Sequence, residues 1–164
     1  GFQAGDAERG CWWRSICGLW ESGRLCDVTL ESQEGSSLKA HRLVISATSA
    51  ALAALVDGSF EEGQGGIVRL DCSYEALLAM INFVYGVEVN VQPALLPQLL
   101  KLAHMYELTS LMQSLVQAAS ANLDETSALQ LLVEIELLPL PELEEQCEQC
   151  VAQHYETCLL NDSF

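Results

Sequence analysis

The sequence predicts an α/β fold of the α+β kind: a small β-sheet covered by helical hairpins, with a two-helix extension at its C-terminal end. Three observations carry that reading. Cys26, Val28 and Leu30 alternate with Asp27, Thr29 and Glu31, the period of two that a strand with one buried face requires. From His41 the period turns helical, with Leu43, Val44 and Ala47 followed by Ala51, Leu52, Leu55 and Val56. From Pro93 onward helical spacing dominates, interrupted only by turn and cap residues.

Taken in order, residues 1–11 are polar and Gly-rich and read as a loose tail. Trp12, Trp13, Ile16, Leu19 and Trp20 then fall at helical intervals before Ser22-Gly23, giving a short helix with a large aromatic face. Those rings either cover the edge of the domain's own core or meet a second copy, since Trp is enriched where proteins touch. After the strand at 26–31, the turn formers Ser32, Gly35, Ser36 and Ser37 return the chain into a second strand through Leu38 and Ala40. One helix is expected from His41 to about Val56, then a polar, Gly-rich loop, residues 57–66, with Phe60 inside it.

Ile67 to Leu70 reads as a third strand, and Ser73 can cap a helix whose buried stripe is Ala76, Leu77, Met80, Ile81, Val84 and Tyr85. Gly86 closes that helix. Pro93 and Pro97 suit a helix's first turn, where a missing donor costs little. A helical hairpin follows, one arm through Leu99 to Tyr106 and the other from Leu108 to Leu123. Asp124-Glu125-Thr126 starts a further helix, stopped by Pro139-Leu140-Pro141, and a last helix carries Leu143, Cys147, Cys150, Val151, His154, Tyr155 and Cys158 on one stripe.

The run Leu25-Cys26-Asp27-Val28-Thr29-Leu30, a turn, then Lys39-Ala40-His41-Arg42-Leu43-Val44-Ile45-Ser46 with Ser49 after it resembles the opening of a BTB/POZ domain. Phe83-Val84-Tyr85-Gly86 followed by Val87, Val89 and Val91 resembles a later passage of the same family, which implies an added short strand there. The resemblance covers roughly residues 12–121, and the helices of 122–164 look like the 3-box, the start of a BACK domain. It implies a two-fold homodimer with Ile16, Leu19 and Trp20 of the first helix at the interface. It places Asp27 and Arg42 near the dimer centre, where corepressor-binding members have a charged pocket; packing alone would also ask for an ion pair there. In cullin-binding members a hydrophobic-x-Glu motif docks the cullin, and Phe60-Glu61-Glu62 is similar to it, which gives Phe60 and Glu62 those roles. The 3-box would complete a groove for the cullin's N-terminal extension.

Composition narrows the function further. The 164 residues suffice for one core plus an appendage, and the formal charge of −16 repels phosphate backbones and anionic membranes, so neither nucleic acid nor membrane is an expected partner. Seven cysteines, without the spacing of a secreted framework, point to free thiols in the cytoplasm or nucleus. No signal peptide or run of eighteen apolar residues is present. The chain starts at Gly1 without Met and shows no output domain, which suggests a piece of something longer.

Chemistry is sparse. Cys147, Cys150 and His154 share a helix face, yet three ligands on one helix do not make a tetrahedron, and no metal or other cofactor is expected. His41 reads as a hydrogen-bonded capping residue rather than a ligand. GxSxG, HExxH and phosphate-loop motifs are absent, so no catalytic residue is assigned. The reading is a non-catalytic adaptor that homodimerises, binds the N-terminal domain of cullin-3 in a ubiquitin ligase, and meets an unknown substrate protein through another domain. The alternative is a dimerisation or corepressor-recruiting module of a transcriptional regulator.

Overall fold

The structure is a computed structural model and describes residues 6–61, 66–121, 123–136 and 138–161. The chain packs as two compact units, residues 1–88 and 89–164. This packing division falls ahead of the 121/122 boundary read from the sequence.

The first unit is built on a three-stranded sheet in the order β2-β1-β3, with β1 Val28–Glu31, β2 Ser37–Ala40 and β3 Ile67–Arg69. β1 and β2 are the antiparallel arms of a hairpin, Val28 opposite Ala40 and Leu30 opposite Leu38. The tight return is closed by Ser32 N–H to Ser36 O at 2.8 Å and needs the left-handed backbone of Gly35 at φ +83. β3 runs parallel to β1, Leu30 opposite Val68, which requires a crossover, and helices α2 Arg42–Thr48 and α3 Ala50–Glu61 supply it. Helix α4, Tyr74–Val84, follows with Ser73 Oγ accepting from Ala76 N–H, as the sequence predicts.

Val28, Leu30, Ile45, Leu52, Val56, Val68, Leu77, Met80 and Ile81 form the core of this unit, each at most 3% exposed. Burying side chains of this size stabilises by roughly 1.5–3 kcal/mol each before entropy is counted. The sheet therefore needs helices to exist.

Four expectations are corrected here. The first helix, α1, begins at Asp6, so the loose tail does not extend to residue 11. The helix from His41 is two helices, because Ser49 is extended at φ −153 and its hydroxyl accepts from Leu52 N–H at 3.0 Å, capping α3. α3 runs on to Glu61, so Gly58 is helical and Phe60 lies on a helix rather than in a loop. Residues 87–92 are not a strand: alternating valines favour extended backbone, but the described sheet is made of β2, β1 and β3 alone, and none of these residues joins it.

The second unit is helical. A 3₁₀ turn, Pro93–Leu95, leads into α5 Leu96–Met105, which forms an antiparallel hairpin with α6 Thr109–Ala121. The hairpin turn forces Glu107 to φ +54, with Leu108 N–H closing on Ala103 O at 2.8 Å. Helices α7 Glu125–Ile135 and α8 Pro141–Asn161 pack on each other, and α7 also meets α5. α7 opens with a capping box: Asp124 Oδ1 accepts from Ser127 N–H at 2.8 Å, and Ser127 Oγ accepts from Asp124 N–H at 2.9 Å. α8 turns Leu143 and Cys147 inward, each no more than 1% exposed.

Candidate functional site: interaction surfaces

Four groups of residues carry the sequence expectations, and the structure treats each differently. The first is α1. Three of its side chains converge on Tyr85, at the end of α4. Trp13 Nε1–H donates to Tyr85 O at 2.7 Å, the Cys17 thiol donates to the same oxygen at 3.1 Å, and Trp20 stacks on the Tyr85 ring. Trp20 Nε1–H also donates to Lys39 O at 2.9 Å, which ties α1 to β2. Trp20 thus packs on its own domain. Ile16 and Leu19 are half-buried beside it, while Trp12 is 75% exposed and Leu43 80% exposed.

Beneath α1, Tyr85 and His41 share a buried network. The Tyr85 hydroxyl lies 2.9 Å from His41 N and 2.8 Å from His41 Nδ1, and His41 Nε2 lies 2.8 Å from Arg24 O. A carbonyl can only accept, so Nε2 carries the hydrogen, and in the neutral ring Nδ1 accepts from the tyrosine O–H, whose oxygen in turn accepts from His41 N–H. Every polar group in the set is satisfied. Burial pushes the Tyr85 pKa up to about 12, against the opposing hydrogen bond from His41. His41 occupies the cap position of α2 but makes no side-chain cap hydrogen bond; its ring serves Tyr85 instead.

The second group is Asp27 and Arg42. The expected pairing of their side chains takes another form: Asp27 Oδ1 accepts from the Arg42 backbone N–H at 2.6 Å, capping α2. The Arg42 guanidinium meets Asp57 Oδ1 at 2.6 Å. Asp57 was missing from the sequence reading, though it sits four turns on from Arg42 along a helical run whose break at Ser49 brings the two together.

The third group lies at the end of α3. The Phe60 backbone is helical, whereas its side chain and the whole of Glu62 lie outside the described residues. The fourth is the cysteine stripe of α8. Cys147 is fully buried and its thiol pKa is raised, chiefly by burial and then by Cys150; the His154 side chain lies outside the described residues. Among the described residues no three His, Cys, Asp or Glu side chains gather to hold a metal, and the six cysteines whose side chains are described are free thiols. No described helix is long and apolar enough to cross a membrane.

The helical unit also has a groove of about 410 Å³ where α6 meets the turn into α8, floored by Met112, Val116, Leu140 and Leu143 and edged by Glu142. It lies partly within residues 124–160, where the sequence reading expected a cullin groove.

Against known proteins, the BTB/POZ domain family model matches residues 17–123. The chain is 28% identical over 125 residues to Kelch repeat protein M-T8 of Myxoma virus, covering 76% of this chain and 24% of that protein. It is 37% identical over 93 residues to Longitudinals lacking protein, isoforms A/B/D/L, of Drosophila melanogaster, covering 57% of this chain and 12% of that protein. It is 24% identical over 141 residues to Kelch-like protein 3 of Pongo abelii, covering 85% of this chain and 24% of that protein. The chain therefore spans about a quarter or less of these relatives. The BTB domain of zebrafish PATZ1 superposes with a TM-score of 0.61 at 18% identity, covering 74% of this chain and all of that one, which shows the shared fold. By its match over more than half its length, the chain belongs to the BTB/POZ domain family, and its domain is a protein-interaction module.

Proposed function

We propose that the chain is the cullin-3-binding part of a ubiquitin ligase substrate adaptor, non-catalytic itself, acting as a homodimer in the cytoplasm or nucleus. The observation that carries this reading is the helix pair α7–α8. It follows the matched domain directly, and the similarity to Kelch-like protein 3 extends over 141 residues, a longer stretch than residues 17–123. Charge points the same way on partner chemistry: from Leu102 to Phe164 the sequence holds no Lys or Arg, so this half favours a basic or neutral partner. Phe60 and Glu62 are assigned the cullin contact, Ile16, Leu19 and Trp20 the dimer contact, and substrate binding belongs to another domain.

The test is a variant series in calorimetric titration against the cullin-3 N-terminal domain. Phe60→Ala is expected to weaken binding by roughly 1–4 kcal/mol, the range of a central anchor, and Glu62→Ala to weaken it as well. Unchanged affinity in both variants would remove the motif from the interface. A second reading, a dimerisation or corepressor-recruiting module without ligase binding, has in its favour the 37% identity to Longitudinals lacking protein, which covers only 57% of the chain.

A further inference from the structure

The helical unit contains a cavity of about 280 Å³, separate from the α6–α8 groove and sharing none of its lining residues. Its floor and walls are Val91, Pro93, Leu96, Pro97, Ala119 and Leu131, and Asn90 and Gln130 stand exposed at its mouth. The cavity is open at its mouth, and facing walls close on each other where they can, because closure recovers dispersion contacts. Here collapse is blocked on each side. Pro93 and Pro97 fix the backbone of the 3₁₀ turn and of the first turn of α5. The capping box holds the start of α7, and Ser127, which also lines the cavity, spends its hydroxyl on Asp124 N–H and O at 2.9 and 3.0 Å. On α6 the facing residues are Ala118 and Ala119, too small to fill the space.

We propose that this cavity is a binding site for a neutral, compact ring molecule carrying one hydrogen-bonding group. Size sets the first limit: an apolar cavity of ~150 Å³ holds benzene, so this one suits a bicyclic ring. Charge sets the second. The lining side chains are uncharged, in a half of the chain rich in carboxylates, so neither an ion nor an anionic ligand finds a counter-charge. The amides of Asn90 and Gln130 each donate and accept, which matches a ring N–H, hydroxyl or carbonyl left at the mouth while the apolar body is buried.

Indole is the probe. Titrated into the isotope-labelled 164-residue chain, it is expected to give saturable amide shifts at Leu96, Ala118, Ala119 and Leu131, with a dissociation constant on the order of 1 mM or below, as a nine-atom ligand allows. Ala119→Leu fills the cavity and should weaken binding at least tenfold. Ala119 is buried, so Ala118→Leu, at an exposed position of the same wall, is the second variant and should do the same in a chain whose spectrum is otherwise unchanged. Absence of saturable shifts in the wild-type chain, or equal binding by Ala118→Leu, overturns the proposal. Shifts at these amides only on adding a protein partner would give the cavity to a protein side chain and overturn it too.

Discussion

Trp20 lies flat on Tyr85, ring centroids 4.3 Å apart and planes 8° from parallel. Around this pair the first helix, the hairpin and α4 are joined, because Trp20 also bonds Lys39 and Tyr85 also bonds His41. Replacing Trp20 by Ala removes a stacked ring and a hydrogen bond together. We expect a loss of about 2–4 kcal/mol in urea unfolding, and a loss below 1 kcal/mol would mean that α1 docks by other means.

Tyr85→Phe keeps the ring and removes only the hydroxyl. His41 N–H and Nδ1 would both lose their partner inside the protein, at a cost of about 1–3 kcal/mol. The stack on Trp20 should persist, so near-ultraviolet circular dichroism from tryptophan should change little while the unfolding midpoint drops.

Gly86 has φ +66, and a Cβ placed there would stand 3.0 Å from Trp13 Nε1, the nitrogen bonded to Tyr85 O. Gly86→Ala therefore meets both backbone strain and a close contact, and we expect more than about 1 kcal/mol of destabilisation, with faster amide exchange in α1 than elsewhere. Uniformly unchanged exchange would contradict this.

Alkaline pH should unfold the first unit early. Burial raises the Cys72 thiol from 9.0 to about 11 and the Tyr85 phenol from 10.0 to about 12. Both groups hold their proton more tightly when folded, so their contribution is complete below pH 9 and is lost as pH rises through 11 and then 12. Urea midpoints measured from pH 8 to 12 should fall across that window, and Tyr85→Phe should flatten its upper part.

Much of the fold could be read from local sequence, because its signals are local. The alternation at 26–31, the turn at 32–37, the Ser73 cap and the stripe of α4 each lie within a dozen residues, and each appears where expected. The misses have physical causes. Ser49 sits between apolar residues on both sides, and a helical period continues across it even though its hydroxyl ends one helix and starts the next. Gly58 reads as a helix stop, yet α3 tolerates it at a cost of about 1 kcal/mol. The strand at Val87–Val91 depended on a pairing edge, which local alternation cannot supply.

The site was less legible than the fold. The resemblance assigns Ile16, Leu19 and Trp20 to a dimer interface and sets Asp27 with Arg42; in the structure Trp20 stacks on Tyr85 of its own domain, Asp27 accepts from the Arg42 backbone, and the Arg42 guanidinium meets Asp57. The Tyr85 network joins residues 44 to 72 apart in the chain, and no spacing rule reaches that far. Cys17 has no role in the sequence reading and His41 reads there as a capping residue, although each binds Tyr85.

The adaptor reading is tested most directly by titrating the wild-type chain with the N-terminal domain of cullin-3, its own assembly state followed by light scattering. The account predicts a dimer that binds one cullin domain per protomer with a sub-micromolar dissociation constant. A well-folded dimer that gives no binding heat at any temperature tried, and no cullin-containing species in scattering, would contradict it.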